Sequence, residues 1–233
     1  LTHALCETGA RVTTFEIDRE ALDLARRLRA WPDTVVFVEA DALAGKHALN
    51  PRVREAIEEA PPEPGRRLLV SNLPYGAGTP IVIDVLALPR PPDDIVVMLQ
   101  REVVEKMLAS PGSAAYGAPS VLVGMKAEGK ILRRFGPQVF WPQPRVSSAV
   151  VRLTPRRDVG LDPGEHLPFG SFVTQVFAHR RKVLPTAVRL ARPGTSAEEA
   201  LAAVEATGLE PRVRVQDVSP ERLVRLWRRL EQP

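Results

Sequence analysis

Four short runs of aliphatic and β-branched residues recur early in the chain: Val12–Ile17, Val35–Glu39, Arg67–Ser71 and Asp94–Leu99. Each is followed by turn or helix signals, as strands buried in a parallel sheet should be. Between the first two, Asp18 to Ala30 sets Ala21, Leu22, Ala25, Leu28 and Arg29 at helical spacing with charges opposite, so strand, helix and strand make a βαβ unit. Thr79–Leu88 and Arg101–Ala109 are further helical segments, each after a strand and turn. The alternation predicts a doubly wound α/β domain with a mostly parallel sheet.

Around Gly129 the pattern changes. Lys130–Phe135 and Ser148–Leu153 read as strands joined by the proline-rich Gly136–Arg145, too short for a parallel crossover helix, so an antiparallel pair at the sheet edge is expected. Thr154 to Pro168, rich in Pro, Gly and charge, reads as a linker. Beyond it the chain is helical: Phe169–Leu190 carries apolar periodicity, Thr195 with Glu198 makes a capping box before Ala197–Thr207, Gly208 ends that helix, and Ser219-Pro220 starts Glu221–Leu230. The predicted domains are therefore 1–156, of α/β type, and 157–233, small and all-helical.

A length of 233 residues suffices for a sizeable core, and 44% hydrophobic with 26% charged residues describes a folded chain rather than a disordered one. The lone Cys6 excludes an internal disulfide, and the four histidines show no metal-ligand spacing, so no metal is expected. The uncharged run Met107 to Met125 is broken by Pro111, Pro119, Gly112, Gly117 and Gly124 and reads as loop plus helix start rather than a membrane span. No export signal opens the sequence, which predicts a cytoplasmic location. A net charge of +4 makes polyanions plausible partners. The distribution says more: from Gly129 to Arg157 stand Lys130, Arg133, Arg134, Arg145, Arg152, Arg156 and Arg157 with no acid, and Arg180-Arg181-Lys182 after Phe177 form a second cluster placed on a helix. Phosphate contact is the natural use. Arg222, Arg225, Arg228 and Arg229, mixed with Glu221 and Glu231, read instead as a solvated helical face.

Candidate chemistry gathers at strand ends. Glu16, closing the first strand, could accept from both ribose hydroxyls of a nucleoside, while Asp18 suits a helix N-cap. Asp41 follows the next strand and could accept an exocyclic amine. Asn72-Leu73-Pro74-Tyr75 follows the third. An amine conjugated to adenine is a poor nucleophile, so alkylating it calls for acceptors that take its protons and aim its lone pair. The Asn72 side-chain oxygen and a neighbouring backbone carbonyl supply two, Pro74 biases Leu73 to an extended geometry, and Tyr75 offers a face for an unstacked base. A second aromatic pair, Phe140-Trp141, opens Phe140-Trp141-Pro142-Gln143-Pro144-Arg145-Val146; one ring is expected in the core and the other against a base. Gly124 to Lys130 matches the phosphate-loop pattern by chance, since Ile131 replaces the metal-binding hydroxyl.

Together these residues resemble the bacterial small-subunit rRNA adenine dimethyltransferases, the KsgA family, within the class I S-adenosylmethionine-dependent methyltransferases. The resemblance runs through Gly9 to Val12, Glu16 to Asp18, Asn72 to Tyr75, Thr79-Pro80, Gln100 to Val103, Pro111-Gly112 with Tyr116-Gly117, Phe140 to Ser148 and Arg180 to Lys182. It implies a Rossmann-like sheet, with Glu16 on the cofactor ribose, Ile17 flanking the adenine, Asp41 on its amine, Asn72 near the reacting centre, and Tyr75 and Phe140 sandwiching the target adenine. Two methyl groups would pass to each of two adjacent adenines near the 3′ end of small-subunit rRNA, the helical domain helping to hold the ribosomal subunit, and the enzyme acting as a monomer. The family's first strand and glycine-rich cofactor loop precede the segment matching Leu1-Thr2, so the resemblance implies a piece of a longer chain. Gly76-Ala77-Gly78 departs from the family's Asn-Ile-Ser. The alternatives are a large-subunit rRNA adenine methyltransferase of the antibiotic-resistance type, which shares the tetrapeptide, and a non-catalytic ribosome-assembly factor.

Overall fold

The computed structural model describes residues 1–45, 48–59, 65–156 and 161–231. They divide into two compact units, Leu1–Val97 and Met98–Pro233.

In the first unit, α1 (Thr2–Cys6) leads into β1 (Val12–Glu16), α2 (Arg19–Arg27), β2 (Val35–Glu39), α3 (Pro51–Glu58), β3 (Leu68–Asn72), α4 (Gly78–Leu86) and the start of β4 (Asp94–Gln100). β1 and β2 pair in parallel, Val12 opposite Val35 and Glu16 opposite Glu39. Asp18 starts α2 by accepting from the N–H groups of Glu20 and Ala21, satisfying two of the four donors a helix leaves open. After α2, the Trp31 indole donates to the Ala25 carbonyl (2.8 Å) and packs edge-to-face on Phe37 of β2 (5.2 Å). That contact returns the chain beside β1. β3 lies next to β4, and its entry is fixed by Arg67. The Arg67 N–H donates to the Asp93 carboxylate (2.7 Å), and its guanidinium reaches the carbonyls of Ile57, Arg90 and Pro91. Ile81, Val82, Val85 and Leu86 of α4, with Ile95 and Val97 of β4, are buried.

The second unit continues with the end of β4, then α5 (Arg101–Met107), α6 (Ala118–Gly124), β5 (Ala127–Phe135) and β6 (Ser148–Pro155). β6 lies between β4 and β5, and β5 is the antiparallel edge strand that the sequence pattern predicts. Ala149, Val151 and Leu153 form the buried face of β6. The unit closes with α7 (His166–Ala178), α8 (Leu184–Ala191), α9 (Ala197–Ala206) and α10 (Pro220–Glu231). Their core takes in Phe169, Phe172, Leu184, Val204, Leu223 and Trp227 together with Val121 of α6 and its flanking residues Tyr116 and Met125. The Tyr116 hydroxyl donates to the Val218 carbonyl (2.9 Å), and burial pushes its pKa well up. Glu165 accepts two hydrogen bonds from the Arg228 guanidinium.

The four early strands, the edge hairpin and the α2, α4, α5, α9 and α10 positions stand within a few residues of the predicted spans, a normal margin for helix and strand ends. The α/β class with a mostly parallel sheet holds, and the hydrogen-bonded strands fall into two groups, β1-β2 and β3-β4-β6-β5. Other expectations are corrected. The helix expected over Phe169–Leu190 is two: Pro185 lacks the N–H to continue a helix through Arg181 and stands instead in the first turn of α8. The capping box is shifted by one residue. Ser196 and Glu199 exchange the reciprocal bonds, the Ser196 hydroxyl accepting from Glu199 N–H and the Glu199 carboxylate from Ser196 N–H. The expected linker holds the end of β6, a short 3₁₀ turn at Pro163–Glu165 and the first turn of α7; residues 157–160 lie outside the described set. The helices α1 and α3 are additions, α3 being capped by Asn50 with Pro51 in its first turn.

Ser196→Ala removes one half of that reciprocal cap and is expected to lower unfolding free energy by about 1 kcal/mol, measured by denaturant titration, whereas Thr195→Ala should leave it nearly unchanged. A second expectation concerns Lys126, only 6% exposed. Burial lowers its pKa from the ordinary lysine value to about 8. Folding then expels its proton between about pH 8 and the unfolded value near 10.4, so its contribution to stability improves as pH rises through that window. The stability difference between wild type and Lys126→Met should move in favour of wild type from about pH 7 to about pH 10; a pH-independent difference would contradict this.

Candidate active site

In the first unit the predicted acceptors stand at the carboxyl ends of strands. Glu16 is the last residue of β1, and the parallel ladder continues past it, the Ala40 N–H donating to the Glu16 carbonyl (3.1 Å). Asp41 follows immediately, so the β1–β2 register brings Glu16 and Asp41 to the same edge. Each carboxylate uses one oxygen locally. Glu16 Oε1 accepts from the Asp18 N–H (2.9 Å), and Asp41 Oδ1 accepts from the Leu43 N–H (3.0 Å). The second oxygen of each has no partner among the described residues. Ile17, between them in the chain path, is 65% exposed, an apolar side chain presented to solvent.

β3 ends one residue later than its sequence pattern predicts, making Asn72 the last strand residue, and Asn72 is exposed. Leu73 is buried and anchors the turn. The Pro74 carbonyl accepts from the N–H groups of Ala77 (3.1 Å) and Gly78 (3.0 Å), tying the turn to the start of α4. Tyr75 is 39% exposed, so its ring retains accessible surface.

The second unit carries the remaining predicted residues. A β-bulge between Ile131 and Arg133 changes the register of β5: Lys130 faces Arg152, and Arg133, three residues on, faces Val150 on the same side of the hairpin. Without the extra residue, Lys130 and Arg133 would point to opposite faces. The Arg133 guanidinium lies over the Phe135 ring (5.0 Å), and Phe135 meets Phe140 edge-to-face (6.4 Å, 75°). Phe140 is half-buried in this stack while Trp141 is fully in solvent, which settles which of the two rings packs. Lys130, Arg133, Arg134 and Arg145 are exposed and form no ion pair with a described acid. Arg156 pairs with Glu128 at 3.5 Å, an exposed and weak contact.

The second basic cluster is displaced from its predicted helix. α7 stops at Ala178, and Arg180, Arg181 and Lys182 occupy the turn before α8, with Arg180 donating to the Ala114 carbonyl (3.3 Å) and Arg181 and Lys182 exposed. A turn shows more of each side chain to a polyanion than a packed helix does. The bulge and the Arg133–Phe135–Phe140 stack are features the sequence reading missed. Arg133 and Phe135, two apart on a strand, were the available signal for the first contact.

A Rossmann-like α/β layer with acceptors at its strand ends, followed in the chain by a basic hairpin and a helical bundle, has the fold of the class I methyltransferases. The family model for "Ribosomal RNA adenine dimethylase" matches residues 1–232, and the chain belongs to that family. It is 36% identical over 231 residues to the ribosomal RNA small subunit methyltransferase A of Rubrobacter xylanophilus, covering 99% of this chain and 80% of that protein. The protein of the same name from Streptomyces coelicolor is 35% identical, with 97% of this chain and 76% of that one covered. Among solved structures, a dimethyladenosine transferase from Plasmodium falciparum superimposes with a TM-score of 0.70 at 18% identity, covering 93% of this chain and 80% of the other. The 23S rRNA methyltransferase ErmE superimposes at 0.59 with 24% identity, covering 95% and 82%. Both likenesses are of fold.

The two acids of the first strand–helix turn should separate by role. Asp18→Ala, which strips the cap from α2, is expected to cost about 1 kcal/mol of unfolding free energy, while Glu16→Gln, whose amide oxygen can still take the Asp18 N–H, should stay within about 0.5 kcal/mol of wild type by the same denaturant measurement.

Proposed function

We propose that the protein is an rRNA adenine N6,N6-dimethyltransferase that acts on small-subunit rRNA with S-adenosylmethionine as methyl donor. Membership of the dimethylase family over nearly the whole chain supports the activity, and the names of the bacterial relatives support the small subunit as the substrate's source. The observation that carries the reading at the level of residues is the set of outward acceptors closing β1, β2 and β3: Glu16, Asp41 and Asn72.

The acceptor set fits the cofactor's nucleoside. Ribose hydroxyls and an adenine amine are donors, and Glu16 and Asp41 each keep one carboxylate oxygen free of described partners. Glu16 is assigned the ribose, Asp41 the amine, and the exposed Ile17 an apolar surface against the purine. When bound, S-adenosylmethionine supplies a sulfonium-activated methyl group, so no strong base is called for. Asn72 Oδ1 and the Leu73 carbonyl accept the protons of the target amine and orient its lone pair, which makes positioning the main source of acceleration. Pro74 holds Leu73 in place, and Tyr75 and Phe140 each offer a ring to an unstacked base. Lys130, Arg133, Arg134 and Arg145, with Arg180, Arg181 and Lys182, serve the RNA phosphates. The segment 157–233 is assigned to RNA and ribosome binding, and the protein to the cytoplasm as a monomer. No metal has a role in this scheme.

Turnover of unmodified small ribosomal subunits tests the assignment of Asn72. Asn72→Ala is expected to lower kcat by about 100-fold or more while changing RNA affinity little. Unchanged turnover would remove Asn72 from the chemistry. In parallel, Glu16→Gln should weaken binding of S-adenosylhomocysteine, measured by calorimetry, with folding intact.

A further inference from the structure

The second unit carries an indole that its own chain leaves uncovered. Trp141 is 97% exposed, although tryptophan side chains are highly buried on average. The residue before it is packed. Phe140 sits edge-to-face on Phe135, and the Arg133 guanidinium lies over the Phe135 ring. Trp141 therefore stands next to an ordered aromatic and cationic stack without being part of it.

The charge of the hairpin that carries it narrows what could cover the ring. Lys130, Arg133, Arg134 and Arg145 are exposed, none is paired with a described acid, and no Asp or Glu occurs from Gly129 to Arg157. An apolar protein surface laid along this hairpin would desolvate these cations with nothing to offset the cost. A single-stranded nucleic acid offers the opposite combination, phosphates for the cations and a flat base for the indole. We propose that Trp141 stacks on an unpaired base of the RNA substrate, a nucleotide other than the adenine being methylated, and so fixes where the strand lies along the β5–β6 hairpin. The inference rests on the RNA-methyltransferase reading above, and it makes Trp141 a positioning residue.

The test compares wild type with Trp141→Ala and Trp141→Phe, using a single-stranded adenine-rich RNA oligonucleotide as binding probe and unmodified small subunits as methylation substrate. Wild-type emission should contain a red-shifted component that Trp141→Phe lacks, and the oligonucleotide should quench it. Trp141→Ala should weaken oligonucleotide binding about 5- to 100-fold, with much of the loss restored in Trp141→Phe. Its methylation defect should appear in KM rather than kcat, because stacking on a remote base binds ground and transition states alike. Thermal melting should be the same for all three proteins. RNA affinity undiminished in Trp141→Ala would overturn the proposal, as would quenching by anionic phospholipid vesicles but not by RNA. Intact methylation with no Trp141-dependent quenching sinks the stacking role alone. Quenching by RNA without methyl transfer to any substrate supports the stacking and sinks the activity.

Discussion

The parallel pairing of β1 with β2 is the constraint on which the site depends. In a parallel pair both strands finish at the same edge, so the residues that close them share it whatever the rest of the chain does. Here the register sets Glu16 opposite Glu39 and continues through Ala40 to Asp41. The two carboxylates then perform two duties. One oxygen of each satisfies an N–H of its own turn, which fixes the side chain, and the other stays outward as an acceptor. On the proposed assignment to the cofactor's nucleoside, a carboxylate already held by its turn loses less freedom when the ligand binds. The β3 turn follows the same logic with different chemistry: Leu73 is anchored in the core, the Pro74 carbonyl is committed to α4, and Asn72 is left exposed at the strand end.

The second unit is organised around charge rather than acceptors. The bulge in β5 gathers Lys130, Arg133 and Arg152 on one face, with Lys130 directly opposite Arg152. On the proposed function this face is the one that meets RNA phosphates. The opposite face, with Val151 and Leu153, is core. The helical part is held by apolar packing that reaches back to Tyr116 and Val121. Gly112 takes a positive φ and donates to the Gln216 carbonyl, while Tyr116 donates to Val218.

The strands and the acceptors at their ends were legible in the sequence because buried strands need continuous apolar runs, and a polar residue that ends such a run marks the edge. Less was legible where two local solutions were equally good. Thr195 with Glu198 and Ser196 with Glu199 both spell a capping box, and only the backbone at Ser196 decides between them. Apolar periodicity runs through Pro185, whose effect on a continuous helix outweighs it. Asn50-Pro51 spelled a cap and first turn, but the short α3 has little apolar pattern to draw notice. The bulge at Leu132 had no sequence signal at all, yet it decides which cations share a face. The choice between Phe140 and Trp141 as the packed ring depended on Phe135, a contact that spacing alone does not reveal.

The account centres on methyl transfer to the exocyclic nitrogen of adenines in small-subunit rRNA. Incubation of unmodified ribosomal subunits with S-adenosylmethionine labelled in the methyl group, followed by digestion of each rRNA to nucleosides and chromatography, addresses it most directly. The account predicts label in N6,N6-dimethyladenosine from small-subunit rRNA. Label confined to large-subunit rRNA, or to a methylated nucleoside other than adenosine, would contradict it.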